Sequence, residues 1–175
     1  MKKQILYAIL LTTSFSILFF SCLKNPPGET EPACSIGHTN PSGPCFNLDV
    51  VLKGNNKETQ LGFIKFRQDP DTARIITLET FIKNLLPNHE YLLQRAVDPA
   101  NVVDGNCTST TWLTLGKGLT PQSILTDNHG DGTETLWRDV TAAARGTSFD
   151  IHFQVIDATS MEVVLTSDCY QYAVR

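Results

Sequence analysis

The sequence predicts an all-β domain, a two-sheet sandwich of roughly eight strands. Three observations predict it. Short runs of period-two hydrophobic alternation recur from Leu48 to Val174. Clusters of Gly, Pro, Asn and Asp separate them, as turns require. Only the short stretch 141–145 looks locally helical.

The elements follow in order. Leu48, Val50 and Leu52 alternate with Asp49, Val51 and Lys53, the pattern of a strand with one face on a core, and Gly54-Asn55-Asn56 then turns the chain. Residues 59–67 hold Leu61, Phe63, Ile64 and Phe66, whose parity shifts at Phe63-Ile64 as at a bulge. Ile76, Leu78, Thr80 and Ile82 share the face of a third strand, and Pro87-Asn88-His89 leads into a fourth over 91–96. Shorter strands are expected at 111–115, 123–126 and 133–140. Phe149, Ile151, Phe153 and Val155 alternate most clearly of all, and Val163, Leu165, Tyr170, Tyr172 and Val174 complete the set. No internal repeat is visible.

The start of the chain is different in kind. Lys2 and Lys3 precede a run from Ile5 to Phe20 that is apolar apart from a few hydroxyl residues, the layout of an export signal. Its core is short for a permanent span of about 20 apolar residues, and Asn25-Pro26-Pro27-Gly28 follows it. Leu18-Phe19-Phe20-Ser21-Cys22 resembles a lipobox, the motif at which bacterial lipoproteins are acylated on cysteine and cut just before it. Phe19 stands where that family usually has Leu. The resemblance implies a signal peptide over 1–21, acyl chains on Cys22, and a protein held to a membrane. An ordinary secretory signal is the competing reading. Residues 22–44 carry eight Pro and Gly but few large apolar side chains, which predicts a solvated tether. The sandwich is then expected over 45–175.

Cysteine arithmetic agrees with export. Setting Cys22 aside leaves four of the five cysteines, Cys34, Cys45, Cys107 and Cys169, an even set suited to a compartment where disulfides persist. Three connectivities are open. The short spacing of Cys34 and Cys45 suggests a local staple, which would leave Cys107 for Cys169. No Cys-x-x-Cys pair suggests a zinc site.

Charge excludes one class of partner. Removal of 1–21 takes Lys2 and Lys3 from the 14 basic residues and none of the 18 acids. The formal charge thus moves from −4 to about −6. No basic nucleic-acid footprint exists, so nucleic acid is not expected as a partner, and mild acidity leaves membrane attachment to the acyl chains.

Val50-Val51-Leu52-Lys53-Gly54, Gly62-Phe63-Ile64-Lys65-Phe66 and the segment from Leu85 to Ser109 resemble the first half of copper-zinc superoxide dismutases. The likeness covers under half of the chain beyond residue 21. It implies a Greek-key sandwich of the superoxide-dismutase-like or immunoglobulin-like kind. Gly105-Asn106-Cys107-Thr108-Ser109 resembles the family's loop whose cysteine bridges to one near the C-terminus, a role the resemblance offers to Cys169. With Tyr91 and Asp98 in their family places, the copper histidines fall on Leu92 and Gln94, which cannot ligate a redox metal as imidazole does. The resemblance therefore carries architecture and not activity.

Other candidates each have a plainer competitor. Asp127, Asp131 and Glu134 lie in a Gly-rich stretch that could wrap calcium, but His129 and Arg138 occupy positions where an EF-hand needs oxygen ligands. A polar turn is the favoured reading. His152 sits with Asp150 and Gln154 on what should be the wetter face of its strand. Trp112 and Trp137 could form a sugar or peptide platform, although core packing is the commoner fate of Trp. No nucleophile elbow, zinc-protease helix or phosphate loop is present. These readings lead to a lipid-anchored cell-envelope protein, expected at the outer membrane and needing no cofactor. It would act as a non-catalytic binding or assembly module toward an envelope protein or glycan, with recognition carried by loops. A degenerate metal-binding protein and an envelope structural protein are the alternatives.

Overall fold

A computed structural model of the chain describes Cys34 and residues 45–70 and 73–175. Twelve β segments join in one hydrogen-bonded network. They are β1 (Leu48–Lys53), β2 (Gln60–Gln68), β3 (Ile75–Ile82), β4 (Glu90–Val97), β5 (Leu113–Thr114) and β6 (Gly116–Lys117). The rest are β7 (Thr120–Pro121), β8 (Ser123–Leu125), β9 (Gly132–Asp139), β10 (Ser148–Asp157), β11 (Val163–Ser167) and β12 (Tyr170–Ala173).

Several segments share one strand position. β11 and β12 lie end to end along the same edge of β10, at Gln154↔Thr166 and Ile151↔Tyr170, with an interruption at Asp168-Cys169. β5 and β8 likewise share one edge of β4. Between them, β6 and β7 form a small hairpin that reaches β9 at Lys117↔Trp137. Around the molecule the order is β1, β2, β3, β9, β8, β4, β10, β11 and back to β1, with the Thr126↔Gly132 bridge joining the β8 side to β9. Strands that follow in sequence, β8 and β9, thus lie between β4 and β3. This is a Greek-key arrangement in a nearly closed, barrel-like sandwich, and the all-β expectation holds.

The alternation in the sequence faces the core as expected. Leu48, Val50 and Leu52 on β1, Ile76, Leu78, Thr80 and Ile82 on β3, and Ile151, Phe153 and Val155 on β10 are all buried. Phe66 meets Phe153 and Tyr172 edge-on, with ring centroids 6.3 and 4.8 Å apart.

Two expectations are corrected. β1 and β2 pair regularly from Leu48↔Phe66 to Leu52↔Gly62, so Phe63-Ile64 is not a bulge. The register shift lies between Leu52 and Lys53, opposite the step from Gly62 to Gln60. The inward position before Ile64 is Gly62, where a Cβ would stand 2.8 Å from the carbonyl oxygen of Phe81. Close approach of β3 demands glycine there, and a glycine hides the period from an apolar pattern. The stretch 141–145 is turn, not helix. Arg74 takes the carbonyls of Ala143 and Thr141 at 2.7 and 2.8 Å, leaving them off any helical ladder, and Ala143 N–H closes back only to Val140.

Both disulfides join the pairs Cys34–Cys45 and Cys107–Cys169. Cys34 also pairs with β1, its N–H donating to Asn47 O at 2.8 Å and its carbonyl accepting from Asp49 N–H at 3.1 Å. The expected signal segment, Cys22 and the remainder of 22–44 lie outside the described residues.

Candidate functional site

The face of β4 and β10 that points away from the core is not wet. Asp150 and Gln154 are buried and His152 is half-buried, against the expectation of a solvated sheet surface. The physical reason is the segment 98–114, which the Cys107–Cys169 bond ties to the break between β11 and β12. Such a loop must find acceptors for its backbone amides. Asp150 Oδ2 accepts from the N–H groups of Asp104 and Gly105, both at 2.8 Å. Asp98 accepts from Thr108 N–H at 2.9 Å and Ser109 N–H at 2.6 Å. The Thr108 amide holds the Asp98 carboxyl below its ordinary range against the opposing effect of burial, with help from the Ser109 amide, the Thr108 hydroxyl and His152.

Side chains of the sheet complete the contact. His152 Nε2 donates to the carbonyl of Ser109 at 2.9 Å, and Trp112 stacks on the imidazole. Gln154 Nε2 donates to Gln94 Oε1 at 2.7 Å, and Gln94 Nε2 donates to Thr114 Oγ1 at 3.0 Å. Gln94, one of the two positions at which the resemblance would put copper ligands, is therefore a link in an amide chain. Leu92, the other, is a half-buried aliphatic side chain.

The Asp127 stretch forms a turn. Asp127 Oδ1 accepts from the N–H groups of His129 and Asp131 at 2.8 and 3.0 Å, and those amides, Asp131 first, lower its pKa. Asp131 Oδ1 accepts from Asn84 N–H, while Glu134 pairs with Lys117 at 3.0 Å. The three carboxylates are not brought together, and no metal-holding group of three His, Cys, Asp or Glu occurs among the described residues.

Trp137 is 39% exposed on β9. Its ring lies on Gly118, where a Cβ would stand 2.8 Å away. Each Trp thus has its own setting, Trp112 within the disulfide-tied segment against His152 and Trp137 beside the β6–β7 hairpin.

One pair escaped sequence reading. His89 Nε2 donates to Asp157 Oδ2 at 2.7 Å, across 68 positions of sequence. The same carboxylate group accepts from Ser160 and Thr159 N–H, and these amides, ahead of His89, pull its pKa down. No local pattern could have joined the two. Arg95 and Arg138 carry no motif: each shares the inward parity of its strand, Arg95 with Tyr91 and Leu93 on β4 and Arg138 with Leu136 on β9, and a lone arginine among apolar positions marks no chemistry by itself.

Comparison with known proteins returns nothing: no family model, no curated protein and no solved structure matches the chain.

Proposed function

We propose that the protein is a lipid-anchored cell-envelope lipoprotein whose sandwich acts as a non-catalytic binding or assembly module. The observation that carries this most is the use made of the polar side chains on the outer face of β4 and β10. Asp98, Asp150, His152, Gln94 and Gln154 are all engaged in hydrogen bonds that hold segment 98–114 or one another. A general acid or base needs a side chain within reach of a substrate proton, and Asp98, Asp150 and His152 are turned to backbone. Export is supported by the two disulfides, which persist in oxidising compartments. Acylation rests on the lipobox resemblance at Cys22.

The test is replacement of Cys22 by Ser, followed by labelling with palmitate and fractionation of washed envelopes. Label in the wild type and release of the unlabelled variant are expected. Equal retention of both without label would refute the anchor. Cross-linking in cells tests the module: a discrete envelope partner supports assembly.

A further inference from the structure

Beside residues 139–143, a partly enclosed cavity of about 190 Å³ opens between β2, β3, β9 and the facing β4, β10 and β12. Phe66, Leu78, Leu115, Phe149, Ile151 and Val174 supply much of an apolar wall. Two arginines, Arg95 and Arg138, share that lining, near enough for the charge of one to act on the other. The Arg95 guanidinium makes no hydrogen bond or ion pair among the described residues. Arg138 donates only to the carbonyl of Gly118, at 3.2 Å. The single acid in the lining, Asp139, accepts from Thr141 N–H at 2.6 Å, and its charge is shared between Arg74 and Arg138, with no direct ion pair to either. It is not among the charges that act on Arg95.

Two neighbouring cations in an apolar recess are unfavourable alone. Burial lowers the Arg95 pKa first, and the charge of Arg138 lowers it further, against the opposing effect of Tyr172. Arginine does not shed its proton to escape this. A bound anion relieves it, through paired N–H donors matched to a carboxylate.

We propose that this cavity binds a small carboxylate with an apolar, ring-sized body, the carboxylate on Arg95 and Arg138 and the body against the Phe66 and Ile151 side. Size sets the class. An apolar cavity of about 150 Å³ accommodates benzene, so the recess takes one ring and its acid group and not a long acyl chain. The proposal deepens, and rests on, the reading of the domain as a binding module, but it is independent of the anchor.

The experiment is a thermal-shift and calorimetric titration of the intact protein in a neutral detergent, with benzoate, its neutral analogue benzamide, and inorganic phosphate. Benzoate is expected to raise Tm with concentration, while benzamide and phosphate leave it unchanged. Arg95→Met should weaken benzoate by about tenfold or more. Ala143→Leu, which adds bulk to the lining and keeps both guanidiniums, should abolish binding in a protein whose unliganded Tm shows that it folds. No response to benzoate, an equal response to benzamide or phosphate, or unchanged affinity in Arg95→Met or Ala143→Leu would each overturn the proposal. Cross-linking in cells does not involve the cavity, so the module reading stands or falls separately.

Discussion

Trp112 stacks on His152 with ring centroids 4.7 Å apart and planes inclined by 33°. The contact makes Trp112 a clasp of segment 98–114 on β10. Replacement of Trp112 by Ala should destabilise the fold by about 2 kcal/mol, the cost of uncovering part of a large aromatic side chain. Hydrogen exchange at the Thr108 and Ser109 amides should accelerate together. An unchanged denaturation midpoint would show that the stack contributes nothing.

The two disulfides should differ in weight. Their sequence separations are 62 for Cys107–Cys169 and 11 for Cys34–Cys45. The chain-entropy relation gives about 4 kcal/mol for the longer loop and about 3 kcal/mol for the shorter. Urea denaturation of Cys107→Ser/Cys169→Ser and Cys34→Ser/Cys45→Ser double variants measures the order. The longer bond has a second role, since it holds the loop that covers β10, so its loss should also expose Asp150.

Thr80 faces the core, fully buried, and its hydroxyl oxygen has no hydrogen-bond partner. An unsatisfied buried hydroxyl costs about 1–3 kcal/mol. Thr80→Val keeps the shape and β-branching, so the variant should be more stable by about 1 kcal/mol. Equilibrium unfolding decides it, and a loss of stability would mean that the hydroxyl is satisfied in solution.

Acid should loosen segment 98–114 and the turn after β10. The pKa values of Asp98 and Asp157 are both lowered from the usual 3.8, chiefly by backbone amides of Thr108 and Ser160 respectively. A depressed folded-state pKa contributes stability that is present above the unfolded value and is lost as pH falls through the folded one. Stability should therefore hold down to about pH 4 and decline below it. Asp98→Asn should flatten that decline while lowering stability at neutral pH. A denaturation series across acid pH checks both.

Gly130 has φ of +82°, and a Cβ there would lie 2.1 Å from the carbonyl oxygen of Leu85. Its N–H closes the turn onto Asp127 O at 3.1 Å. Gly130→Ala combines backbone strain with a clash against main chain, and should cost about 2 kcal/mol or more. Calorimetric Tm reports it.

The core was legible because alternation is a local property. Leu48, Val50 and Leu52, or Ile76, Leu78 and Ile82, show their inward face without knowledge of what they pack against. The β1–β2 register was not legible, because Gly62 occupies an inward position without an apolar side chain. The face bearing Asp150, His152 and Gln154 was misread for a related reason. Its polar pattern matches a wet surface, and only the distant Cys107 loop, arriving with unpaired amides, turns it into a buried hydrogen-bonding layer. Cys107 and the resemblance of its loop pointed to the covalent link, but not to what the loop would cover. His89 and Asp157 meet through strand ends far apart in sequence, and Arg95 and Arg138 through β4 and β9, which are not sequence neighbours.

The Cys34–Cys45 bond closes residues 35–44 into a covalent ring. Force reaching the domain from the N-terminal side crosses the sulfur bridge directly to Cys45 and bypasses those ten positions. A protease that nicks the ring once leaves the domain attached to whatever precedes Cys34. Release needs a cut outside the ring, or reduction of the bond together with a nick within it.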